Sequence, residues 1–343
     1  MPSTTPTWLI TGTSNGFGLS LAQQVLKSHH NLVSISRHAQ PHESLTSLAN
    51  VNANASDHGP SIHHIPIDLS SKDETTIKSA ITRFLATNPK LTIDILINNA
   101  AITAFGPLET LPTPTIDRLM TVNFWSPLWL VQACLPSMRT SRNGVPKVIV
   151  NISSTQGLAC DPSEVAYEAS KHALEGMSGV LAAEVHPFRI RTVVVNLGSF
   201  RTGFALGDSA ETGSVDARFR SGGNGDDPYQ DPSHPVKKRI EGVLKFANVP
   251  GAARGDPAKG AKVVFDAVVK VGGSKADEAL QQQRNAMSAG GMGSVSKVER
   301  LILGSDAQPK IEMQRQWFGM QIESCQAVSA EADADEVRAL PSS

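Results

Sequence analysis

The sequence predicts an α/β protein in which a doubly wound parallel β-sheet is flanked by helices on both faces. Two observations indicate this fold class. Short apolar runs alternate with helix-length segments along residues 8–196, and such alternation is typical of parallel sheets that are covered on both sides. In addition, a glycine-rich turn at residues 11–18 joins the first apolar run to the first helical segment, as expected for a tight strand-to-helix connection.

Strands are predicted where apolar residues form short runs, and helices where apolar residues recur every three or four positions. In chain order, the predicted strands are residues 8–10, 31–36, 62–67, 93–97, 147–152, 191–196 and 298–303. The predicted helices are residues 19–28, 75–85, 115–138, 166–185, 237–247, 257–271 and 310–327. Pro127 is expected to kink the helix at 115–138, because proline lacks an N–H and its ring clashes with the preceding turn. The polar stretch at 49–61 predicts a surface loop.

The bulk properties exclude several classes of function. The 343-residue chain has 40% hydrophobic residues and a net charge of −1, so nothing indicates a nucleic-acid partner. No apolar run is long enough to span a bilayer, and the first seven residues lack the basic segment of a secretory signal. The three cysteines have no metal-site spacing and fit a reducing compartment. We therefore expect a cytoplasmic protein without membrane, nucleic-acid or metal partners.

The glycine-rich turn reads Thr-Gly-Thr-Ser-Asn-Gly-Phe-Gly. Glycines allow a close approach of the backbone to an anion, and the start of the following helix offers free N–H groups and the positive end of its dipole. The turn therefore predicts a Rossmann-type site for the pyrophosphate of a dinucleotide, although such turns also occur without a ligand. The residues predicted to bind the cofactor here are Gly12, Ser14, Asn15, Gly16, Phe17 and Gly18.

The end of the second strand predicts which dinucleotide binds. NAD-selective sites place an acidic residue there, which accepts a hydrogen bond from the ribose 2′-hydroxyl, but no acidic residue occurs before Glu43. Arg37 stands there instead, and a guanidinium suits a 2′-phosphate. The sequence thus favours NADP(H), with a solvated surface arginine as the alternative interpretation of Arg37.

One spacing indicates acid–base chemistry. Tyr167 and Lys171 are four residues apart, and Ser154 lies thirteen residues before the tyrosine. Residues four apart on a helix share a face. A lysine cation beside a phenol favours the phenolate, so we expect Lys171 to lower the pKa of Tyr167. A tyrosine with such a pKa can exchange a proton with an alcohol or a carbonyl near neutral pH.

Together these motifs resemble those of the classical short-chain dehydrogenases/reductases over residues 7–205. Each motif is weak alone, and the resemblance rests on their joint order and spacing. They are the loop at 11–18, Asp68, the Asn98-Asn99-Ala100 segment, Asn123, Ser153-Ser154, Tyr167 with Lys171, Gly198 and Thr202. Two positions depart from the family pattern, because Ala101 replaces a glycine and Leu197 replaces the proline before Gly198.

The resemblance implies a catalytic set of Asn123, Ser154, Tyr167 and Lys171. Tyr167 would be the general acid/base, and Ser154 would polarise the substrate oxygen, with Ser153 as the alternative for that role. Lys171 would bind the hydroxyls of the nicotinamide ribose. Asn123 would hold a water that connects Lys171 to solvent, or else be an ordinary helix amide.

The resemblance also implies further contacts to the cofactor. Asp68 would contact the adenine, or merely cap the helix that follows. Asn99 and Ala100 would line the adenosine ribose, and Thr202 would touch the nicotinamide carboxamide or the pyrophosphate. The implied cofactor-binding residues outside the glycine-rich loop are Arg37, Asp68, Asn99, Ala100, Tyr167, Lys171, Phe200 and Thr202.

The C-terminal third differs in composition. Residues 207–235 and 272–296 are rich in glycine and polar side chains, and we expect them to form a C-terminal substrate-lid extension near the strand ends. Residues 255–259 and 303–307 resemble, more loosely, a branch of the family like the 17β-hydroxysteroid dehydrogenases. The expected organisation is residues 1–205 as the dinucleotide-binding core with the catalytic residues, residues 206–330 as substrate-side loops and helices of the same domain, and residues 331–343 as a disordered tail.

Three hypotheses of function follow. The first is an NADP(H)-dependent oxidoreductase that interconverts a ketone and a secondary alcohol by hydride transfer, with Tyr167 as general acid/base. The second is a non-redox reaction in the same fold, such as an epimerase or cyclase reaction on a natural product. The third is an NADP-binding sensor, which the presence of both Tyr167 and Lys171 argues against. The expected partner is a small carbonyl or alcohol substrate, and the long helices are expected to form a homodimer or homotetramer.

Overall fold

Seven parallel strands form one sheet in the computed structural model, which describes residues 5–55, 59–71, 73–139, 144–206, 227–249, 252–269, 273–289 and 298–331. In chain order the strands are β1 (Thr7–Thr11), β2 (Asn31–Ser36), β3 (Ile62–Pro66), β4 (Ile95–Asn98), β5 (Val148–Ser154), β6 (Arg191–Leu197) and β7 (Glu299–Leu303). Their order across the sheet is β3-β2-β1-β4-β5-β6-β7, and all neighbouring pairs run parallel. The doubly wound sheet predicted from the sequence is thus confirmed.

Helices cover both faces of this sheet. The described α-helices are α1 (Gly16–Lys27), α2 (Glu43–Ala55), α3 (Glu74–Thr87), α4 (Thr113–Met120), α5 (Ser126–Arg139), α6 (Val165–Val185), α7 (Pro235–Asn248), α8 (Pro257–Val269), α9 (Lys275–Ala289) and α10 (Ala307–Glu331). On one face α1 packs against α8 and α2, whereas α3 and α5 pack against each other on the opposite face. Within the described ranges, none of these helices is both long and apolar enough to cross a membrane.

The buried core has two halves, one on each face of the sheet. Successive side chains of a strand point to opposite faces, and β1 follows this rule. Trp8 and Ile10 belong to the half beneath α1 and α8, where the Trp8 ring stacks on Phe265 with 5.2 Å between ring centroids. Leu9 belongs to the other half, which it shares with Leu130 of α5. The continuous apolar character of β1 therefore reflects burial on both faces.

The loop predicted at residues 49–61 is wrong over its first part, because α2 extends from Glu43 to Ala55. Leu45 is fully buried, and Leu48 packs against the same core half. The Asn52 amide donates a hydrogen bond to the Leu26 carbonyl at 2.7 Å, at the end of α1. A few apolar positions on one face are thus enough to fix this helix, although its polar composition is typical of a loop.

The long helix predicted at 115–138 is interrupted before Pro127. A π-helical turn at Thr121–Trp125 separates α4 from α5, and the Ser126 N–H bonds the Thr121 carbonyl five residues earlier. Pro127 lies in the first turn of α5, so it supplies no N–H to the carbonyl of Asn123 four residues before it. The turn widens the helix by one residue and directs Asn123 into the protein, where it is buried.

The C-terminal segments only partly match the sequence interpretation. In place of a loop over residues 272–296, α9 covers Lys275–Ala289, and its Leu280 is fully buried in the core half beneath α1. Residues 207–226, 290–297 and 332–343, which include most of the expected lid and the expected tail, lie outside the described residues. The predicted strand at 298–303 is confirmed as β7, which closes the sheet beside β6.

A buried ion network fastens β7 to its neighbours. Glu299 is 4% exposed and accepts hydrogen bonds from Arg191 of β6 at 2.7 and 2.9 Å. Its second oxygen also lies 2.7 Å from Arg284 of α9. Arg191 further donates to the last carbonyls of α8, those of Ala267 and Val268. One carboxylate therefore joins three elements at the edge of the sheet.

We expect Glu299→Ala to lower the free energy of unfolding by about 3 kcal/mol, because it leaves Arg191 without a carboxylate in a buried site, while Arg284 keeps Asp277 as its partner. Urea unfolding at pH 7 measures this change. Glu312→Ala is the matched control, since Glu312 pairs with Arg315 on the exposed surface of α10 and its loss should leave the urea midpoint where it was. Equal midpoints for the two variants would contradict the expectation.

Candidate active site

The carboxyl ends of the strands open into a cleft with a volume of about 1420 Å³. Ligands of open parallel sheets bind at this edge, where the strand order reverses. Every site residue predicted from the sequence lines the cleft except Asn123, which is buried behind it. Within the described ranges, no group of His, Cys, Asp and Glu side chains could hold a metal ion.

The loop between β1 and α1 has the shape of an anion cradle. Gly12 and Gly16 adopt φ angles of +71° and +56°, which favour glycine over residues with a side chain. A Cβ atom on Gly18 would lie 2.2 Å from the Gly12 carbonyl oxygen, so only glycine fits at this position. The loop is therefore tight, and the first N–H groups of α1 stand at its opening.

The end of β4 supports this loop from below. The Thr11 hydroxyl accepts hydrogen bonds from the backbone N–H groups of Asn99 and Ala100, both at 2.9 Å. The Asn99 side chain donates to the Thr11 carbonyl at 2.9 Å. The Asn99 amide is thus occupied by the loop, and Thr11 is a supporting residue that the sequence reasoning missed. Its position directly after an apolar strand and before a glycine is the signal that could have indicated it.

The end of β2 carries no carboxylate. Ser36 is buried there, and the exposed Arg37 lines the cleft. On the neighbouring strand end, the Asp68 carboxylate accepts from the backbone and the hydroxyl of Ser70, at 2.9 and 2.8 Å. It does not cap the following helix, because Asp73 fills that position on α3.

The structure brings Ser154, Tyr167 and Lys171 together at the bottom of the cleft. Ser154 ends β5, and Tyr167 and Lys171 lie on successive turns of α6. The Ser154 hydroxyl is hydrogen-bonded to the Tyr167 phenol. The Lys171 ammonium donates to the Ile152 carbonyl at 2.8 Å and lies 5.7 Å from the centre of the Tyr167 ring. The Ser153 hydroxyl, in contrast, is buried without a hydrogen-bond partner in the described part of the chain.

Burial dominates the titration of this pair. It raises the pKa of Tyr167, against the opposing effect of the hydrogen bond with Ser154, and the Glu164 and Glu168 carboxylates add to the rise. Burial also lowers the pKa of Lys171 to about 8, partly opposed by the Glu175 carboxylate. The expected lowering of the Tyr167 pKa by Lys171 is therefore not what the structure gives, since burial of the phenol is the largest effect and raises its pKa.

Asn123 connects two segments behind the pair. Its side chain donates to the Ile102 carbonyl and accepts from the Ile102 N–H, both at 2.9 Å. It also donates to the Ser170 hydroxyl at 3.0 Å, and Ser170 in turn donates to the Tyr167 carbonyl. Both N–H groups of the Asn123 amide are thus used by protein groups, so the side chain could bind a water only through its oxygen, and the backbone carbonyl is a second acceptor.

The loop after β6 is held by the C-terminal third. Its backbone N–H groups at Gly198 and Ser199 donate to the Leu303 carbonyl at 2.8 Å and to the Asp306 carboxylate at 2.9 Å. A Cβ atom on Gly198 would lie 2.4 Å from Asp306, so a larger residue at this position would collide with the carboxylate that holds the loop. Asp306 is a second supporting residue that the sequence reasoning missed.

Phe200 and Thr202 complete this side of the cleft. The Phe200 ring packs edge-on against Phe17, with 5.5 Å between ring centroids. Cβ atoms on Gly255 and Gly260 would lie 2.6 Å from the same ring. Phe200 therefore fixes the loop against α1 and α8, while Thr202 lies beside Gly16 at the opening of the anion cradle.

A charged cluster lines the opposite end of the cleft, and the sequence reasoning missed all of its members. Lys310 of α10 and Arg239 of α7 both pair with Asp161, and Arg239 also pairs with Glu164. Burial favours a higher pKa for Asp161, but the Lys310 hydrogen bond and the Arg239 charge together lower it. For Glu164 the balance is reversed, and burial raises its pKa against the Arg239 charge. No spacing indicates this cluster, because its cations lie far from Asp161 along the chain.

Comparison with known proteins agrees with this geometry. Residues 6–212 match the family model described as short chain dehydrogenase. The chain is 33% identical to the dehydrogenase/reductase SDR family protein 7-like of Anopheles gambiae over 250 residues, which cover 71% of this chain and 76% of that protein. It is 33% identical to the 3-ketodihydrosphingosine reductase of Bacteroides thetaiotaomicron over 196 residues, 57% of this chain and 64% of that enzyme, so the match spans less than two thirds of that relative. A short-chain dehydrogenase structure from Streptomyces avermitilis superposes with a TM-score of 0.68 at 26% identity, over 97% of this chain and 100% of that chain.

The lowered pKa of Lys171 makes the stability of the protein depend on pH. Below pH 8 the lysine is charged in both the folded and the unfolded chain, so the cost of burying its charge is fully present. Between pH 8 and the ordinary lysine pKa of 10.5 the folded protein has released a proton that the unfolded chain still binds, so the cost disappears as the pH rises.

From pH 7 to pH 10 we therefore expect the unfolding free energy of the wild type to rise by about 1–3 kcal/mol relative to that of Lys171→Met. Urea unfolding of both proteins across this range measures the difference. Lys90→Met, at an exposed position, is the control and should run parallel to the wild type. A constant offset between the wild type and Lys171→Met would show that Lys171 is not desolvated.

Proposed function

Because the chain belongs to the short-chain dehydrogenase family, we propose that it is an NADP(H)-dependent oxidoreductase that interconverts a ketone and a secondary alcohol. The observation that carries this proposal is the hydrogen-bonded pair of Ser154 and Tyr167 beside Lys171, in the same cleft as the glycine-rich loop. An acid–base group beside a dinucleotide site is the arrangement that hydride transfer to a carbonyl requires.

The residues of the cleft fit a dinucleotide. The loop at Gly12 to Gly18 is closed so tightly that a Cβ on Gly18 would collide with backbone, while the free N–H groups of α1 suit a pyrophosphate. Lys171 and Tyr167 would meet the nicotinamide ribose, and Thr202 the nicotinamide side. Asp68 and the backbone of Asn99 and Ala100 would meet the adenosine.

In reduction, Tyr167 would donate a proton to the carbonyl oxygen while Ser154 holds that oxygen by a hydrogen bond. When bound, the nicotinamide supplies the hydride that reaches the carbonyl carbon. The raised pKa of Tyr167 keeps the phenol protonated at neutral pH, which supports its role as the donor. With a pKa of about 8, Lys171 is mostly cationic at pH 7 and would stabilise the phenolate that remains. The Asn123 carbonyl would hold a water through which a proton returns to this pair.

The preference for NADP(H) rests on Arg37. It is exposed at the rim of the cleft, directly after β2, where a carboxylate would otherwise repel a 2′-phosphate. A guanidinium can hold a phosphate with two parallel hydrogen bonds.

The substrate remains at the level of a class. The 3-ketodihydrosphingosine reductase among the relatives and the 17β-hydroxysteroid-like pattern at 255–259 and 303–307 both suggest a large ketone or secondary alcohol. The relatives compared above carry names other than the hydroxysteroid branch, so membership of that branch remains a hypothesis. We assign residues 206–330 to the substrate side of the same domain, since α7 and α10 supply cations to the far end of the cleft.

A homodimer or homotetramer and a cytoplasmic location complete the proposal. Exposed apolar side chains support the first part, because Trp125 beside α5, Val180 on α6 and Phe188 after α6 are 43%, 61% and 46% exposed. Apolar residues exposed on long helices are typical of helix-mediated interfaces between subunits.

We expect Tyr167→Phe to lower kcat by about 10²- to 10⁴-fold, because it removes the proton donor and keeps the ring. Binding of NADPH, followed by its fluorescence, should change little. Tyr229→Phe is the matched control, since Tyr229 is the only other tyrosine and its hydroxyl bonds the exposed Glu109; its kcat should stay within about twofold of the wild type. Near-normal turnover by Tyr167→Phe would refute the proposed role.

We expect Arg37→Leu to raise the KM for NADPH by about 10- to 100-fold and to leave the KM for NADH unchanged, because only the former cofactor carries the 2′-phosphate. Steady-state kinetics with both cofactors measures this. Arg83→Leu, at an exposed position on α3, controls for loss of surface charge. Equal changes in the KM for NADPH and the KM for NADH would contradict the assignment to NADP(H).

A further inference from the structure

A series of side chains, joined by hydrogen bonds and ion pairs, connects Ser154 in the cleft with the C-terminal helices α7 and α10. It begins at Gln156, in the turn after β5. The Gln156 side-chain oxygen accepts hydrogen bonds from the hydroxyls of Ser154 at 2.5 Å and Thr155 at 2.7 Å. The Gln156 backbone N–H also donates to the Ser154 oxygen at 3.3 Å. Gln156 thus contacts Ser154 from both its side chain and its backbone.

The orientation of the Gln156 amide is fixed by its other neighbour. Its nitrogen donates to an Asp161 carboxylate oxygen at 3.4 Å. With the amide reversed, an oxygen would face the carboxylate, and two acceptors would repel each other. The Asp161 charge therefore keeps the amide oxygen turned toward Ser154.

Asp161 is itself held in place by the C-terminal third of the chain. The Lys310 ammonium and the Arg239 guanidinium pair with the same carboxylate oxygen that Gln156 contacts. Arg239 is anchored in turn by Glu164, which is 3% exposed and accepts from its Nε at 2.8 Å. The Asp161 backbone N–H donates to Glu168 at 2.6 Å. The carboxylate is thus fixed from the active-site loop, from α7 and from α10.

We propose that Gln156 is a positioning residue for Ser154, and that Asp161, clasped by Arg239 and Lys310, sets the orientation of Gln156. The inference rests on the proposed carbonyl chemistry. Ser154 has one hydroxyl proton, and Gln156 accepts it before a substrate is bound. When a carbonyl oxygen enters, the hydroxyl turns from Gln156 to that oxygen while the Gln156 N–H still holds its position. Arg239 and Lys310, at the far end of this hydrogen-bonded series, therefore act on the reaction through Ser154 alone.

A double-mutant cycle tests this route. The variants are Gln156→Leu, Ser154→Ala and the two combined, assayed with NADPH and the ketone probes ethyl acetoacetate and 9,10-phenanthrenequinone. We expect Gln156→Leu to lower kcat about five- to tenfold, as for the loss of one oriented hydrogen bond. Its affinity for NADPH, measured by fluorescence, should stay within about twofold because Gln156 lies outside the predicted cofactor contacts.

In the Ser154→Ala background we expect Gln156→Leu to have no further effect on kcat, because the group through which it acts is gone. If the reductions in kcat caused by Gln156→Leu and Ser154→Ala multiply in the double variant, the inference is wrong, since Gln156 would then act by another route. That outcome would leave the proposed function intact as long as Ser154→Ala alone reduces turnover. Full turnover by Ser154→Ala would instead remove both the role of Ser154 and the inference.

The variant Lys310→Met tests the contribution of the ion pairs that hold Asp161. Asp161 keeps Arg239 in this variant, so we expect kcat to fall only about two- to threefold, and not at all when Gln156→Leu is already present. The matched control is Lys262→Met, which removes an exposed pair with Asp266 on α8 and should leave kcat unchanged. Equal effects of Lys310→Met with and without Gln156 would contradict the proposed coupling.

Discussion

The buried ammonium group of Lys171 is the constraint on which the rest of the site depends. A charge taken out of water must be held by fixed dipoles or by opposite charges, because the interior cannot rearrange as water does. Here the Ile152 carbonyl, the face of the Tyr167 ring and the Glu175 carboxylate surround it. These groups come from β5 and α6, so the end of the strand and the start of the helix have to meet at a fixed distance. The same meeting point brings Ser154 to the phenol.

The C-terminal third supports the site by contacts rather than by core volume alone. Asp306 holds the loop after β6, and Lys310, one turn later on α10, holds Asp161 on the opposite side of the cleft. Both residues depend on the position of β7, which the Glu299 network fastens to β6. The edge strand of the sheet is therefore connected to both walls of the cleft. A minimal core that ended after β6 would have the predicted catalytic residues and lack these supports.

The sequence was sufficient to predict the structure wherever a short local motif is typical of a single backbone geometry. The glycine positions of the first turn, the apolar strands, and the spacing of Tyr167 and Lys171 all describe short stretches of chain, and the structure brings them to one edge. It was insufficient where the deciding partner is remote. The α2 helix depends on Leu45 packing into a core built by other elements, and Asp161 depends on cations from α7 and α10. The pKa of Tyr167 is a further case, since the spacing indicates a lysine beside the phenol but not the burial that raises its pKa.

The π-helical turn before α5 has a consequence for how this chain can change its length. A residue advances an α-helix by about 100°, so one additional residue turns everything beyond it by more than a quarter of a revolution. Deleting any residue at Thr121–Trp125 would restore a regular helix, but either Asn123 would rotate away from Ile102 or the buried face of α5 would rotate into solvent. The number of residues in this segment therefore sets the rotation of α5 relative to α4. A deletion changes that rotation, whereas a substitution leaves it unchanged. The length of this segment is therefore as restricted as the identity of a core side chain, although the length of a helix on a protein surface usually varies freely.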